Sequence, residues 1–150
     1  MNQLSSNGLD FIKSFEGFSA SPYRDSVGVP TIGYGTIMYP DGTRVTMNDD
    51  DITEDQALQY LGFEVNKKTH SINGMVTSTV NQNQFDALVS FAYNLGSGAL
   101  HGSTLLKLVN QSDFDAAANE FPKWNHAGGA VIAGLTRRRA AERELFLTAV

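Results

Sequence analysis

The stretch from residue 21 to residue 46 does most to limit the fold. Pro22, Pro30 and Pro40, with Gly28, Gly33, Gly35 and Gly42, interrupt any helical pattern there. Between them the run Val29-Pro30-Thr31-Ile32-Gly33-Tyr34-Gly35-Thr36 favours extended backbone. Short β-forming runs punctuated this way read as a small twisted sheet with tight turns. Asp41-Gly42-Thr43 fits a hairpin turn between 37–39 and 44–46. The flanks have helical period instead. In residues 7–17, Leu9, Ile12 and Phe15 recur every three positions, Phe11 widens the stripe and Gly17 offers a stop. Thr53-Glu54-Asp55-Gln56 has the form of a capping box, and Leu58, Leu61 and Val65 extend it into a helix from about 54 to about 70.

From there the pattern is entirely helical. Phe85, Leu88, Ala92 and Leu95 mark one face ended by Gly96. Leu105, Leu106, Leu108 and Val109 follow Ser103, and Phe114, Ala117, Ala118 and Phe121 precede Pro122 as a stop. A glycine-containing loop over 126–134 leads to a last helix capped by Thr136, with Ala141, Leu145 and Ala149 on one side. This order predicts an α+β fold: a sheet lobe over about 18–50 and a helical lobe over about 70–150 that includes the N-terminal helix. A connecting helix joins them, and a cleft between lobes is the expected place for an extended substrate.

Several function classes are excluded. With no cysteine there is no disulfide, thiolate zinc site or cysteine nucleophile. The net charge of −5 argues against nucleic acid as a partner, since such binding relies on basic surface. The acidic excess lies in residues 1–75, with ten acids against five bases; residues 76–150 hold six of each. Arg137-Arg138-Arg139, followed by Glu142 and Glu144, reads as a mixed-charge helix start. Asp49-Asp50-Asp51 lacks the alternating ligands and central glycine of a calcium loop, so solvated acids ahead of a helix are expected. His70, His101 and His126 are scattered, and neither a metal nor a cofactor is expected. Trp124 reads as a core anchor in preference to a platform for a sugar ring. No run approaches the roughly 20 apolar residues needed to span a bilayer. Residues 1–18 lack the basic front and apolar core of a signal peptide. The expectation is therefore no membrane insertion, a cytoplasmic location in the cell that makes the chain, and a monomer by default.

The residues suited to chemistry lie near the start. Glu16 falls in the last turn of the first helix, where the helix end disfavours a carboxylate and Phe15 and Phe18 are placed to exclude water. Both effects favour a proton-donating carboxyl. Asp25 lies in the polar turn Tyr23-Arg24-Asp25-Ser26, a setting that keeps it ionised. Thr31 is on the strand, where period-two alternation puts it on one face with Gly33 and Gly35, a bare floor on which a sugar chain could approach the backbone. Two carboxyls in contrasting surroundings match the division of labour in glycosidases. A solvated helix-end Glu and a turn Asp would look the same.

The spacing of Glu16, eight residues, Asp25, five residues, Thr31 resembles the catalytic set of the phage T4-type lysozyme family, glycoside hydrolase family 24. FIKSFEGF, PYRD, PTIGYGT, NQFDALVSFAYNLGSGAL and GLTRRRAAERELF are similar to its segments in the same order. The resemblance implies an endolysin that hydrolyses the β-1,4 bond between N-acetylmuramic acid and N-acetylglucosamine of bacterial peptidoglycan, lysing the host for phage release. Glu16 would be the acid, with Asp25 and Thr31 activating water and inversion at the sugar carbon. Ile37, Tyr93, Thr104 and Asn119 match the family's substrate-contacting positions. Against these stand core roles for Ile37 and Tyr93, a helix start for Thr104 and a plain surface role for Asn119. Such an enzyme would wait in the host cytoplasm and reach the wall through a separate holin. Two departures stand out: the chain is acidic where relatives are often basic, and Thr36 replaces a histidine that forms a structural ion pair. A lytic transglycosylase is the enzymatic alternative, and a non-catalytic wall-binding or virion protein the other.

Overall fold

A computed structural model describes residues 2–150. The chain divides into two compact units: Leu9–Lys67, and Lys68–Val150 together with the N-terminal residues through Gly8.

Helix α1 (Ser6–Glu16) starts where the Ser5 hydroxyl accepts the Gly8 N–H at 2.9 Å; Ser5 in turn bonds the Asp86 carboxylate. In the smaller unit, β1 (Ser19–Arg24) and β2 (Pro30–Gly33) form an antiparallel pair. A second hairpin follows at the expected turn. Met38 bridges Arg44, Tyr39 N–H donates to the Thr43 carbonyl at 2.8 Å, and Asp41 Oδ1 accepts the Thr43 N–H at 2.9 Å. Asp49 is not the solvated acid expected. Its Oδ2 accepts the Tyr39 hydroxyl at 2.7 Å and the Thr46 N–H at 2.9 Å, while Oδ1 accepts the Thr46 hydroxyl at 2.6 Å. Asp50 and Asp51 are exposed as expected, Asp51 also accepting the Ser21 hydroxyl at 2.7 Å. Ile12, Ile32, Val45, Ala57 and Leu61 are buried beneath. Thr36 is buried too, and its hydroxyl finds no partner among the described residues.

Helix α2 (Glu54–Met75) opens with the expected capping box: Gln56 N–H to Thr53 Oγ1 at 3.1 Å and Thr53 N–H to Gln56 Oε1 at 2.9 Å. It outruns the expected end at 70, because buried Thr69 and Ile72 continue the spacing of Leu61 and Val65.

The larger unit is built on α3 (Gln82–Leu95), capped by Asn81 and Gln84 in a reciprocal pair and ended by Gly96 at φ +99°. Then come α4 (Ser97–His101), for which the apolar pattern gave no signal, and α5 (Thr104–Asn110), capped by Ser103. Helix α6 (Phe114–Ala118) stops at Ala118, so Pro122 does not end it but sits within the 3₁₀ turn Phe121–Lys123. The region beyond is not wholly helical either. The glycine loop is a hairpin of β3 (His126–Ala127) and β4 (Ala130–Val131). Gly128 and Gly129 take φ +59° and +82°, the paired positive angles a two-residue hairpin turn requires. Helix α7 (Ala133–Leu147) begins before Thr136, whose hydroxyl bonds the Ile132 carbonyl at 3.3 Å from inside the first turn. Phe91 meets Phe121 and Trp124 edge to face, with centroids 5.8 and 5.3 Å apart, and Phe121 packs on Phe146 at 5.5 Å. Trp124 is half-buried and packs on this cluster through Phe91.

The arginine run does not form a mixed-charge helix start. Arg138 and Arg139 fall in the second turn of α7 and are buried with Glu142. Arg139 Nε lies 2.7 Å from Glu142 Oε1, and Arg138 Nε lies 3.4 Å from Oε2. Ser90 donates to Oε2 at 2.6 Å, and Arg139 Nη2 donates to Asn94 Oδ1 at 2.8 Å. Burial raises the Glu142 pKa and lowers that of Arg139, and their mutual attraction opposes both shifts.

Truncating Glu142 to Ala therefore removes the carboxylate against which the buried Arg139 guanidinium is paired. It should cost about 3–5 kcal/mol, read from the urea midpoint. Thr36→Val, which removes an unpartnered buried hydroxyl at constant shape, should leave stability unchanged or raise it by up to about 1 kcal/mol in the same assay. At Asp49 the bonds from Thr46 and then Tyr39 hold the carboxyl below its ordinary pKa. A pKa lowered on folding gives stability that is present above the unfolded value, about 3.9, and lost as pH falls through the folded one. Asp49→Asn should lower the melting temperature at pH 7, and the gap should narrow as pH falls below the unfolded value of about 3.9.

Candidate active site

Glu16 is the last residue of α1, half-buried, and Gly17 at φ +60° turns the chain directly into the sheet. Register then fixes the neighbours. Tyr23 faces Thr31 across the ladder and Arg24 faces Pro30, so Asp25 lies opposite Val29, with its N–H on the Val29 carbonyl at 3.0 Å. Directly opposed residues share a face, and so do residues two apart. Tyr23, Thr31 and Asp25 therefore lie on one side of the two strands. Glu16 joins them electrostatically. Partial burial, then the Glu16 charge, then that of Asp25, raise the Tyr23 phenol above its ordinary pKa.

The turn is held by the candidate base. Asp25 Oδ1 accepts the N–H groups of Val27 and Val29, each at 2.9 Å, and Arg24 Nη1 donates to the Gly28 carbonyl at 3.0 Å. Oδ2 has no hydrogen-bond donor among the described residues. Thr31 is 3% exposed, and its hydroxyl donates to the Val29 carbonyl at 2.8 Å. That hydroxyl has committed its proton and keeps lone pairs to accept with.

The expected bare floor is absent. A Cβ on Gly33 would come within 3.0 Å of the Ala57 Cβ and 3.3 Å of Ile52 Cδ1, so the glycine admits α2 rather than a sugar. Gly35 lies past the strand in a turn, at φ +86°. Phe15 and Phe18, expected to exclude water, are 37% and 42% exposed; they pack on Phe11 and Tyr34 respectively.

The four expected contact residues divide between the units. Ile37 belongs to the unit of Glu16 and is 44% exposed, which removes the core alternative. Tyr93, Thr104 and Asn119 belong to the other. Tyr93 is half-buried in the last turn of α3. Thr104 is exposed and opens α5, with the capping done by Ser103. Asn119 is exposed, and its Oδ1 accepts from Arg143 Nη2 at 3.0 Å, which turns its amide N–H₂ outward. Among the described residues no cluster of His, Asp and Glu is placed to hold a metal ion, and no helix is long and apolar enough to cross a membrane. Sequence reasoning missed Tyr23 and Arg143. Tyr23 had a signal: it stands two residues before Asp25, hence on the same face.

Comparisons with known proteins agree with this architecture. The profile of the family described as phage lysozyme matches residues 13–142. The chain is 45% identical to an endolysin of Bacillus phage B103 over 97% of its own length and 54% of that protein's. It thus spans about half the length of that relative. It is 39% identical to an endolysin of Salmonella phage P22, covering 99% of this chain and 100% of that one. The solved structure of an endolysin from Escherichia coli O157:H7 phage FAHEc1 superposes with a TM-score of 0.93 at 42% identity, covering 99% and 96% of the two chains. The fold is lysozyme-like, of the α+β class, and the chain belongs to the phage lysozyme family.

Proposed function

We propose that this chain is a muramidase of the T4-type, glycoside hydrolase family 24, acting on peptidoglycan as a phage endolysin. Its reaction is hydrolysis of the β-1,4 bond between N-acetylmuramic acid and N-acetylglucosamine. The observation that carries this reading is the division of donors and acceptors at Asp25 and Thr31. Asp25 Oδ2 and the Thr31 lone pairs are two acceptors on one face of the ladder, and a water bridging them points both of its hydrogens at the protein. Its lone pair is then directed outward, at a sugar carbon. Asp25 takes the proton as that water attacks, and Glu16 gives its proton to the departing glycosidic oxygen. Exchange with solvent restores both groups. Attack by an activated water on the side opposite the leaving group inverts the sugar carbon, an outcome associated with carboxyls about 6.5–9.5 Å apart.

Ile37, Tyr93, Thr104 and Asn119 would contact the glycan strand, the outward N–H₂ of Asn119 serving as a donor to an acetamido or hydroxyl oxygen. Release from the host cytoplasm to the wall would depend on a separate holin.

Glu16→Gln should lose at least about 10²-fold in lysis of outer-membrane-permeabilised bacteria while remaining folded. Asp25→Asn should lose as much yet keep the turn, because an amide oxygen accepts the same two backbone N–H groups. Full activity in Glu16→Gln, or inactivity of the wild type on several wall types, sinks the enzymatic reading. End groups distinguish the chemistries: reducing muramic acid for hydrolysis, 1,6-anhydromuramic acid for transglycosylation.

A further inference from the structure

We propose that Tyr23 is a substrate-contacting positioning residue, whose hydroxyl donates a hydrogen bond to the glycan at the bond cleaved between Glu16 and Asp25. The inference rests on the muramidase reading and names one further residue at that site.

Three features of its position lead there. Tyr23 is opposite Thr31 in the ladder and two residues before Asp25, so it shares the face that carries both candidate water-binding groups. It is also within electrostatic reach of Glu16 at the end of α1, which links it to all three. Finally, its ring is half-buried while its hydroxyl has no hydrogen-bond partner among the described residues. Two other tyrosines of this unit differ, Tyr39 donating to Asp49 and Tyr34 to Glu54, so their hydroxyls are used within the fold. Tyr60 is half-buried without such a bond among the described residues, but it stands on α2 and not on the ladder.

The chemistry of the site supports a donor in this place. Partial burial and two adjacent carboxyls keep the phenol protonated well past neutrality, so it presents an O–H throughout the working range. The Asp25 carboxylate and a threonine with a committed proton accept hydrogen bonds, and the one proton of Glu16 goes to the departing glycosidic oxygen; none of them is left to donate to a ring oxygen or hydroxyl of the substrate. A phenol supplies that missing donor. Because it is fixed by the strand and not by a flexible stem, it holds the sugar in register with both the proton donor and the water.

The test is Tyr23→Phe, which keeps the ring and deletes only the hydroxyl. Rates are taken on soluble glycan fragments prepared from peptidoglycan, at a temperature at which circular dichroism shows both proteins folded. The expected result is a kcat about tenfold lower with KM within about twofold, the effect of one neutral hydrogen bond made at the reacting centre. A purely packing role would leave kcat unchanged in the Phe variant. An unchanged kcat, or a change confined to KM, overturns the proposal. Glu16→Gln run in parallel separates the two levels. If it is inactive while Tyr23→Phe is fully active, only the tyrosine inference fails; if it is fully active, the muramidase reading fails and the inference with it.

Discussion

The acceptance of two backbone N–H groups by Asp25 Oδ1 is the contact on which the candidate site depends. It closes the turn between β1 and β2, and the turn sets the register that places Tyr23 across from Thr31. A strand pair alternates faces with a period of two, so a slip by one residue would carry Thr31 to the far side and separate it from Asp25. Four ladder residues and one turn give little cooperativity of their own. Specifying the register through a charged side chain inside the turn resolves the ambiguity locally, before any packing against helices is needed. The bulge between Ser19 and Tyr23 is compatible with this, because the pairing that matters lies on the turn side of it.

The larger unit meets a different demand. Its core contains a carboxylate and two guanidinium groups, an arrangement that apolar residues could often equal in stability. What the charges add is direction. Ser90 on α3 and Arg138, Arg139 and Glu142 on α7 are joined through one carboxylate, so α3 and α7 are locked in rotation as well as distance. Apolar packing between helices tolerates small rotations; a branched ion pair does not. The aromatic contacts of Phe91, Phe121 and Phe146 then fill a space whose shape is already set.

Legibility in the sequence followed the range of the interactions. Features made by residues three or four apart were readable: the Thr53–Gln56 capping box, the Ser103 cap, the Gly96 stop and the Asp41–Thr43 turn. The candidate triad was visible as a spacing, and its sharing of a face followed from strand period for Asp25 and Thr31 once the register was known. What failed was governed by partners far along the chain. Arg138 and Arg139 look solvated beside Glu142 and Glu144 unless Ser90, some fifty positions away, is known to lie against them. Gly33 looks like an open floor unless Ala57 is placed above it. Asp49 looks like a helix-front acid because nothing local announces that Tyr39 folds back to it. The hairpin at Gly128-Gly129 was hidden for the opposite reason: its strands are two residues each, too short to show any period.

Structure and chemistry meet within single side chains at this site, with the division running between atoms. Asp25 gives one oxygen to the turn and keeps the other; Thr31 gives its proton to a carbonyl and keeps its lone pairs; Tyr23 gives its ring to the sheet and keeps its hydroxyl. Truncation to alanine removes both halves together, so a loss of activity would not say which half mattered. Isosteric replacement removes one half at a time and turns a structural ambiguity into two separate measurements. The same division would let so small a sheet hold the candidate groups firmly. Asp25 and Thr31 are each anchored through a hydrogen bond to the backbone of the turn or strand, made by an atom the proposed reaction does not use. The placement of Asp25 and Thr31 is then inherited from the turn and the ladder, while that of Glu16 is set by the end of α1.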